Sequence, residues 1–92
     1  MLKTLEDLIA TIRQRKSSSD VSSYTAKLLK DKSLSVEKVK EEIGELIEAV
    51  ENNSNKVHEA ADVLYHLLVY LEANEIKIED VMQGLKRRKK FE

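Results

Sequence analysis

Two short acidic motifs carry the chemistry in this chain. The first is Glu41-Glu42-Ile43-Gly44-Glu45; the second, Glu59-Ala60-Ala61-Asp62, follows after residues 46–58. Residues three and four apart lie on one side of a helix, so each motif projects two or three carboxylates from one patch. If the two helices pack side by side, four or five carboxylates converge, and that much like charge requires a cation. Magnesium is the natural one, because it takes hard oxygen ligands and is commonly held by carboxylates together with substrate phosphates. The motifs point to metal-dependent phosphate chemistry.

The elements that must position these carboxylates are helices. The chain has no proline and two glycines, with 36% charged and 41% apolar residues, a composition that reads as all-α. Ninety-two residues allow one small domain, residues 1–92, which often gains stability by oligomerising. With 16 basic and 17 acidic residues the formal charge is −1, so no global field argues for nucleic acid or an anionic membrane. There is no cysteine, which excludes disulfides and thiolate metal sites. The N-terminal segment, with Glu6 and Asp7, is amphipathic rather than an apolar leader, and no apolar run approaches a membrane span. A cytoplasmic protein is expected.

Five helices are expected. The first spans roughly Leu5 to Lys16, with Thr4 as N-cap and Leu5, Leu8, Ile9 and Ile12 as its apolar stripe. After the polar break Ser17-Ser18-Ser19-Asp20, a short helix covers about Ser23 to Lys30, with Tyr24 and Leu28 facing inward. Asp31 to Leu34 reads as a loop. The third helix follows Ser35 as N-cap and runs to about Glu51. Asn52-Asn53-Ser54-Asn55 breaks the chain again. The fourth helix runs from Lys56 to Ala73, and the fifth from Ile78 or Glu79 to about Lys90.

At about 100° per residue, Val36, Val39, Ile43, Leu46 and Val50 form a bundle seam on the third helix. Glu41, Glu42, Glu45 and Glu48 fall on the other side, which alone describes an ordinary solvated face. The fourth helix changes that balance. Val57, Ala60, Leu64, Leu67 and Leu71 form its main seam, and Val63, Tyr65, Val69 and Tyr70 extend apolar surface around most of its circumference. A helix apolar nearly all round is buried, and carboxylates on it need compensation. Glu59, Asp62 and His66 share its narrow polar strip, where only Lys56 and the histidines offer local positive charge. The choice lies between a metal and structural salt bridges. Antiparallel packing across the short break brings both motifs to similar height, and facing helices with inward carboxylates can build a divalent-metal site.

The remaining polar features have plainer readings. His66, among apolar neighbours, is more often a hydrogen-bonded core histidine than a ligand or base, and His58 belongs on the surface. Lys86-Arg87-Arg88-Lys89-Lys90 is either a solvated tail or a reach toward a polyphosphate, and Arg13, Arg15 and Lys16 allow the same two readings. Tyr24-Thr25 either contacts a ligand or packs.

With its spacing of Glu42-x-x-Glu45, thirteen residues and Glu59-x-x-Asp62, the chain resembles the MazG-like all-α nucleotide pyrophosphohydrolases. Two further segments make it similar to the phosphoribosyl-ATP pyrophosphatases of histidine biosynthesis. They are Ser23-Tyr24-Thr25-Ala26-Lys27-Leu28-Leu29 and Ala60-Ala61-Asp62-Val63-Leu64-Tyr65-His66-Leu67-Leu68. Lys40 departs from the pattern, standing where a glycine is usual, and a glycine usual after the Leu-Leu pair is absent, with Lys32-Ser33 in that region.

The resemblance implies a five-helix MazG-like bundle completed by dimerisation. It implies cleavage between the α- and β-phosphates of phosphoribosyl-ATP, giving phosphoribosyl-AMP and pyrophosphate. Magnesium, with manganese as a substitute, would be held by Glu42, Glu45, Glu59 and Asp62. Glu41 and Glu42 would serve catalysis, with Glu41 orienting water or holding a second metal. Arg15, Lys27 and Lys38 would contact phosphate, and Tyr24 and Thr25 the substrate. The expected partners are a second copy of the chain and a separate phosphoribosyl-AMP cyclohydrolase. The rival readings are a house-cleaning nucleoside triphosphate pyrophosphohydrolase and a non-catalytic helical adaptor with a salt-bridged acidic strip.

Overall fold

The computed structural model describes residues 2–18 and 22–88. Five helices occupy them: α1 (Leu2–Ser17), α2 (Tyr24–Lys30), α3 (Lys32–Asn52), α4 (Lys56–Ala73) and α5 (Ile78–Arg87), with no strand among the described residues. The all-α expectation is met. Ser19, Asp20, Lys89 and Lys90, named above in the polar break and the basic tail, lie outside the described residues.

Local chemistry sets most of the boundaries. Ser23 caps α2, its hydroxyl accepting from the Ala26 amide at 3.0 Å, the usual way to satisfy an orphan N–H at a helix start. Asp31 does two jobs at one position. Its own N–H closes α2 on the Lys27 carbonyl, and its carboxylate opens α3 by accepting from the Leu34 amide at 3.0 Å. The expected loop over Asp31 to Leu34 is therefore a single residue. Ser35, expected as the N-cap, lies inside α3 and is buried. Thr4 likewise lies within α1, which begins two residues earlier. The break between α3 and α4 is as expected: Asn53 and Asn55 adopt left-handed backbone with φ of 52° and 56°, a region asparagine tolerates better than most residues.

The core lies where α1, α2 and α4 meet. Ile12, Leu28, Leu29, Leu68, Val69 and Ala73 are buried together, with Leu5, Leu8, Ile9, Leu34, Tyr65 and Ile78 packed against them. Helix α3 lies along α4 over the longest contact in the fold. Its rotation differs from the sequence expectation. Ser35, Glu42 and Ala49, seven residues apart, are the buried positions, whereas Ile43, Ile47 and Val50 are exposed. On α4 the buried residues are His66, Leu68, Val69 and Ala73, whereas Val57, Leu64 and Leu67 of the expected seam are exposed. The reason is packing economy. One helix cannot turn two apolar faces into one small core, and α4 presents to α1 and α2 the face that includes Val69. The longest aliphatic strips of α3 and α4 are left on the surface of the single chain.

A polar clamp ties α1 to the other end of α4 and to α5. Arg13 donates to both carboxylate oxygens of Glu79 at 2.7 and 2.8 Å and to Glu72 at 3.2 Å. Lys16 donates to the Glu72 carbonyl at 2.7 Å and pairs with Glu75 at 3.1 Å. The Arg13 guanidinium holds the Glu79 carboxyl down at about 2. The solvated reading of Arg13 and Lys16 thus gives way to a structural one.

Candidate functional site

Helix α3 supplies Glu41, Glu42 and Glu45; α4 supplies His58, Glu59 and Asp62. Within each trio, one potential ligand atom per residue lies within 4.8 Å of the others. The two trios also sense one another. Glu42 is raised above the ordinary carboxylate range first by burial, then by Glu45, with Asp62 adding to it and His66 opposing. Glu59 is raised in the same way, by burial and then by the charges of Glu45 and Asp62, with His58 opposing. The juxtaposition read from the two motifs is present: carboxylates from facing helices share one electrostatic environment.

Glu42 is 8% exposed. One oxygen of Glu42 and one of Glu59 are buried without a hydrogen-bond partner. A buried acceptor left unpaired costs roughly 1–3 kcal/mol, and the charges of Glu45 and Asp62 bear on both residues, opposed only by His66 at Glu42 and His58 at Glu59. No lysine or arginine among the described residues bonds Glu42, Glu45, Glu59 or Asp62. The compensation present is small: Lys38 reaches Glu41 at 3.4 Å and His58 reaches Asp62 at 3.3 Å. A hard divalent cation suits this donor set, which offers oxygen from four carboxylates and no thiolate.

Beside the acids lies an aromatic and hydroxyl group from α2 and α4. The Tyr24 hydroxyl is 3.0 Å from His66 Nε2, and His66 Nδ1 is 2.8 Å from the Asp62 carbonyl. Thr25 and Tyr65 share a hydrogen bond between their hydroxyls. The Tyr24 and Tyr65 rings stack at 6.5 Å, and both meet the His66 ring edge-on. His66 is thus the hydrogen-bonded buried histidine expected from its neighbours. Tyr24 packs through its ring, as one of its two readings had it, and remains 45% exposed. Burial raises the Tyr24 hydroxyl above its ordinary value, with Lys38 opposing. Lys38, Glu41 and Glu42 thus lie close enough to act on the Tyr24 hydroxyl, while Thr25 is held by Tyr65. Arg15 and Lys27 are exposed on α1 and α2, and no hydrogen bond or ion pair among the described residues joins them to this group. The Tyr24–His66 link escaped the sequence reading because its residues are 42 apart and no local pattern connects them.

Facing acidic helices beside a hydroxyl-bearing aromatic pair define a class: an all-α protein with a carboxylate-rich polar site between two helices. The sequence profile described as phosphoribosyl-ATP pyrophosphohydrolase matches residues 5–89. The chain belongs to that family. The phosphoribosyl-ATP pyrophosphatase of Roseobacter denitrificans is 46% identical over 91 residues, covering 92% of this chain and 84% of the relative. That of Ruegeria pomeroyi is 46% identical over 93 residues, covering 95% and 86%. The chloroplastic histidine biosynthesis bifunctional protein of Arabidopsis thaliana is 40% identical over 95 residues, covering 95% of this chain and 34% of the relative.

Proposed function

We propose that this protein hydrolyses the bond between the α- and β-phosphates of phosphoribosyl-ATP, releasing pyrophosphate and phosphoribosyl-AMP, in histidine biosynthesis. Family membership supports the substrate. The observation that carries the chemistry is the pair of buried, unpartnered carboxylate oxygens on Glu42 and Glu59. Glu42, Glu45, Glu59 and Asp62 would hold magnesium or manganese. A cation bound there would supply charge neutralisation to the polyphosphate and to the leaving pyrophosphate.

The chain's own groups do the rest. Glu41 is exposed at the edge of the cluster, and it orients the attacking water while Glu42 anchors the site from below. Lys38 exchanges its contact with Glu41 for a phosphate oxygen, which frees that carboxylate for the water. Thr25 and Tyr24 line the substrate side, and Arg15 and Lys27 serve the outer phosphate groups.

A homodimer fits the surface. Ile43, Ile47 and Val50 on α3, and Val57, Leu64 and Leu67 on α4, are exposed large aliphatics on the two helices that carry the site, and a second copy covers them. Phosphoribosyl-AMP cyclohydrolase is the partner that consumes the product; the Arabidopsis relative, described as bifunctional, supports this pairing. No helix among the described residues is long and apolar enough to cross a membrane, which agrees with action in the cytoplasm.

The test is pyrophosphate release from phosphoribosyl-ATP, with and without magnesium, beside a panel of common nucleoside triphosphates. Magnesium-dependent release from phosphoribosyl-ATP alone is expected. Release only from other triphosphates moves the protein to a house-cleaning role, and no release from any substrate sinks the enzymatic reading.

A further inference from the structure

His66 and Tyr24 form a chain of hydrogen bonds whose direction can be worked out. His66 Nδ1 lies 2.8 Å from the Asp62 carbonyl oxygen. A carbonyl only accepts, so Nδ1 carries the proton. In the neutral ring Nε2 then has none and must accept. Its partner, 3.0 Å away, is the Tyr24 hydroxyl, which has a single proton to give. The His66 ring cannot turn to exchange these roles. It is 7% exposed and is met edge-on by Tyr65 at 4.9 Å and by Tyr24 at 5.9 Å. Tyr24 itself is 45% exposed, so its oxygen stays within reach of a ligand. That oxygen has only lone pairs left to offer.

A phosphate oxygen is also an acceptor, and two acceptors facing each other repel. The donors on a nucleotide are its ribose hydroxyls and the exocyclic amine of its base. Among the neighbours of Tyr24, Lys38 is the phosphate donor. We propose that His66 is a positioning residue that commits Tyr24 to accepting, so that Tyr24 binds a ribose hydroxyl or the base amine of the nucleotide and not its phosphates. The proposal rests on the nucleotide reading of the site given above, and it names which part of the substrate this corner of the site selects.

Two measurements test it. The first needs no substrate: ¹⁵N-histidine NMR of the wild-type protein at a pH where the ring is neutral. His66 is expected to carry its proton on Nδ1 and none on Nε2. A proton on Nε2 overturns the proposal, whatever the enzyme hydrolyses. The second is steady-state kinetics on whichever triphosphate the wild type turns over, so that a wrong substrate assignment does not stand in for a wrong role. Tyr24→Phe is expected to raise KM roughly threefold to tenfold, the loss of one neutral hydrogen bond, with kcat little changed. It should weaken inhibition by the nucleoside monophosphate product and leave inhibition by pyrophosphate unaltered. His66→Ala should match Tyr24→Phe, and the double variant should be no worse than either single one, since both break one linkage. His66→Gln, whose amide oxygen can take the hydroxyl proton, should restore much of the loss. Weakened pyrophosphate inhibition in Tyr24→Phe, or additive effects in the double variant, would refute the assignment. Tyr24→Phe keeps its ring packing and decides the matter even if His66→Ala folds poorly.

Discussion

Glu42→Gln should make the metal-free protein more stable while disabling it. Glu42 is buried, one of its oxygens has no partner, and ligand atoms of Glu41 and Glu45 lie within 4.8 Å. Two full charges at that distance repel by about 3.5 kcal/mol at an effective dielectric near 20. The net effect is smaller. Glu45 is exposed and screened, and the raised proton affinity of Glu42 already relieves part of the repulsion. A gain of about 1–2 kcal/mol remains, and the new amide can donate to Glu45. For a domain of this size that corresponds to a Tm increase of roughly 4–16 °C. The sign with pH follows from the direction of the shift. Above the unfolded value of 4.5, the folded state holds the proton more tightly than the unfolded chain. Wild-type stability without metal therefore falls as pH rises through the window between 4.5 and the higher folded value, and the variant lacks that decline. Differential scanning calorimetry from about pH 4.5 to neutral pH, with and without magnesium, reads both effects. Magnesium should raise the wild-type Tm by mass action and raise the variant's much less. A variant that melts lower than wild type without metal, and keeps the full magnesium response, would refute the reasoning.

Three other perturbations follow from the fold. Asp31→Ala removes the α3 cap and should cost about 1 kcal/mol, lowering Tm by roughly 4–8 °C; an unchanged Tm would mean that the Asp31 carboxylate contributes nothing at this corner. Arg13→Met should let the Glu79 carboxyl return from about 2 toward 4.5, measured by NMR titration. Because the folded value is depressed, its stabilisation is present above 4.5 and is lost as pH falls toward 2, so the Tm gap between wild type and variant should narrow over that range. Ile47→Asp places a charge on the exposed aliphatic strip of α3. In sedimentation equilibrium it should convert a dimer to monomers, with the circular dichroism of the helices retained; a dimer that survives the change lies on another surface.

The helices were largely legible because their breaks are chemical. The Asn-Ser-Asn run fixed the start of α4 at Lys56, where it is observed, and Ser23 announced α2. The start of α3 was missed because Asp31 and Ser35 are both good caps, and only the end of α2, which also uses Asp31, decides between them. The inward faces of α3 and α4 were read as the richest aliphatic strips. Periodicity shows that a face is apolar but not which surface covers it, and here the single chain buries Ser35, Glu42 and Ala49 instead. The acidic juxtaposition needs both the short break that sets α3 beside α4 and this rotation, which turns Glu42 inward and which the aliphatic pattern hid. The tyrosine–histidine pair required the tertiary arrangement of α2 against α4, which no local signal carries.

The joint at Asp31 has a consequence for how this chain can vary. One residue ends α2 and starts α3, and both of its hydrogen-bonding functions are in use. An inserted residue would separate the two functions and shift α2 relative to α3. That shift would strain the link between Tyr24 on α2 and His66 on α4. Length changes are therefore expected to be far better tolerated in the polar stretch between α1 and α2 than at this corner. A scan of single-glycine insertions should find the α2–α3 joint among the least forgiving positions in the chain, although it looks like a surface turn.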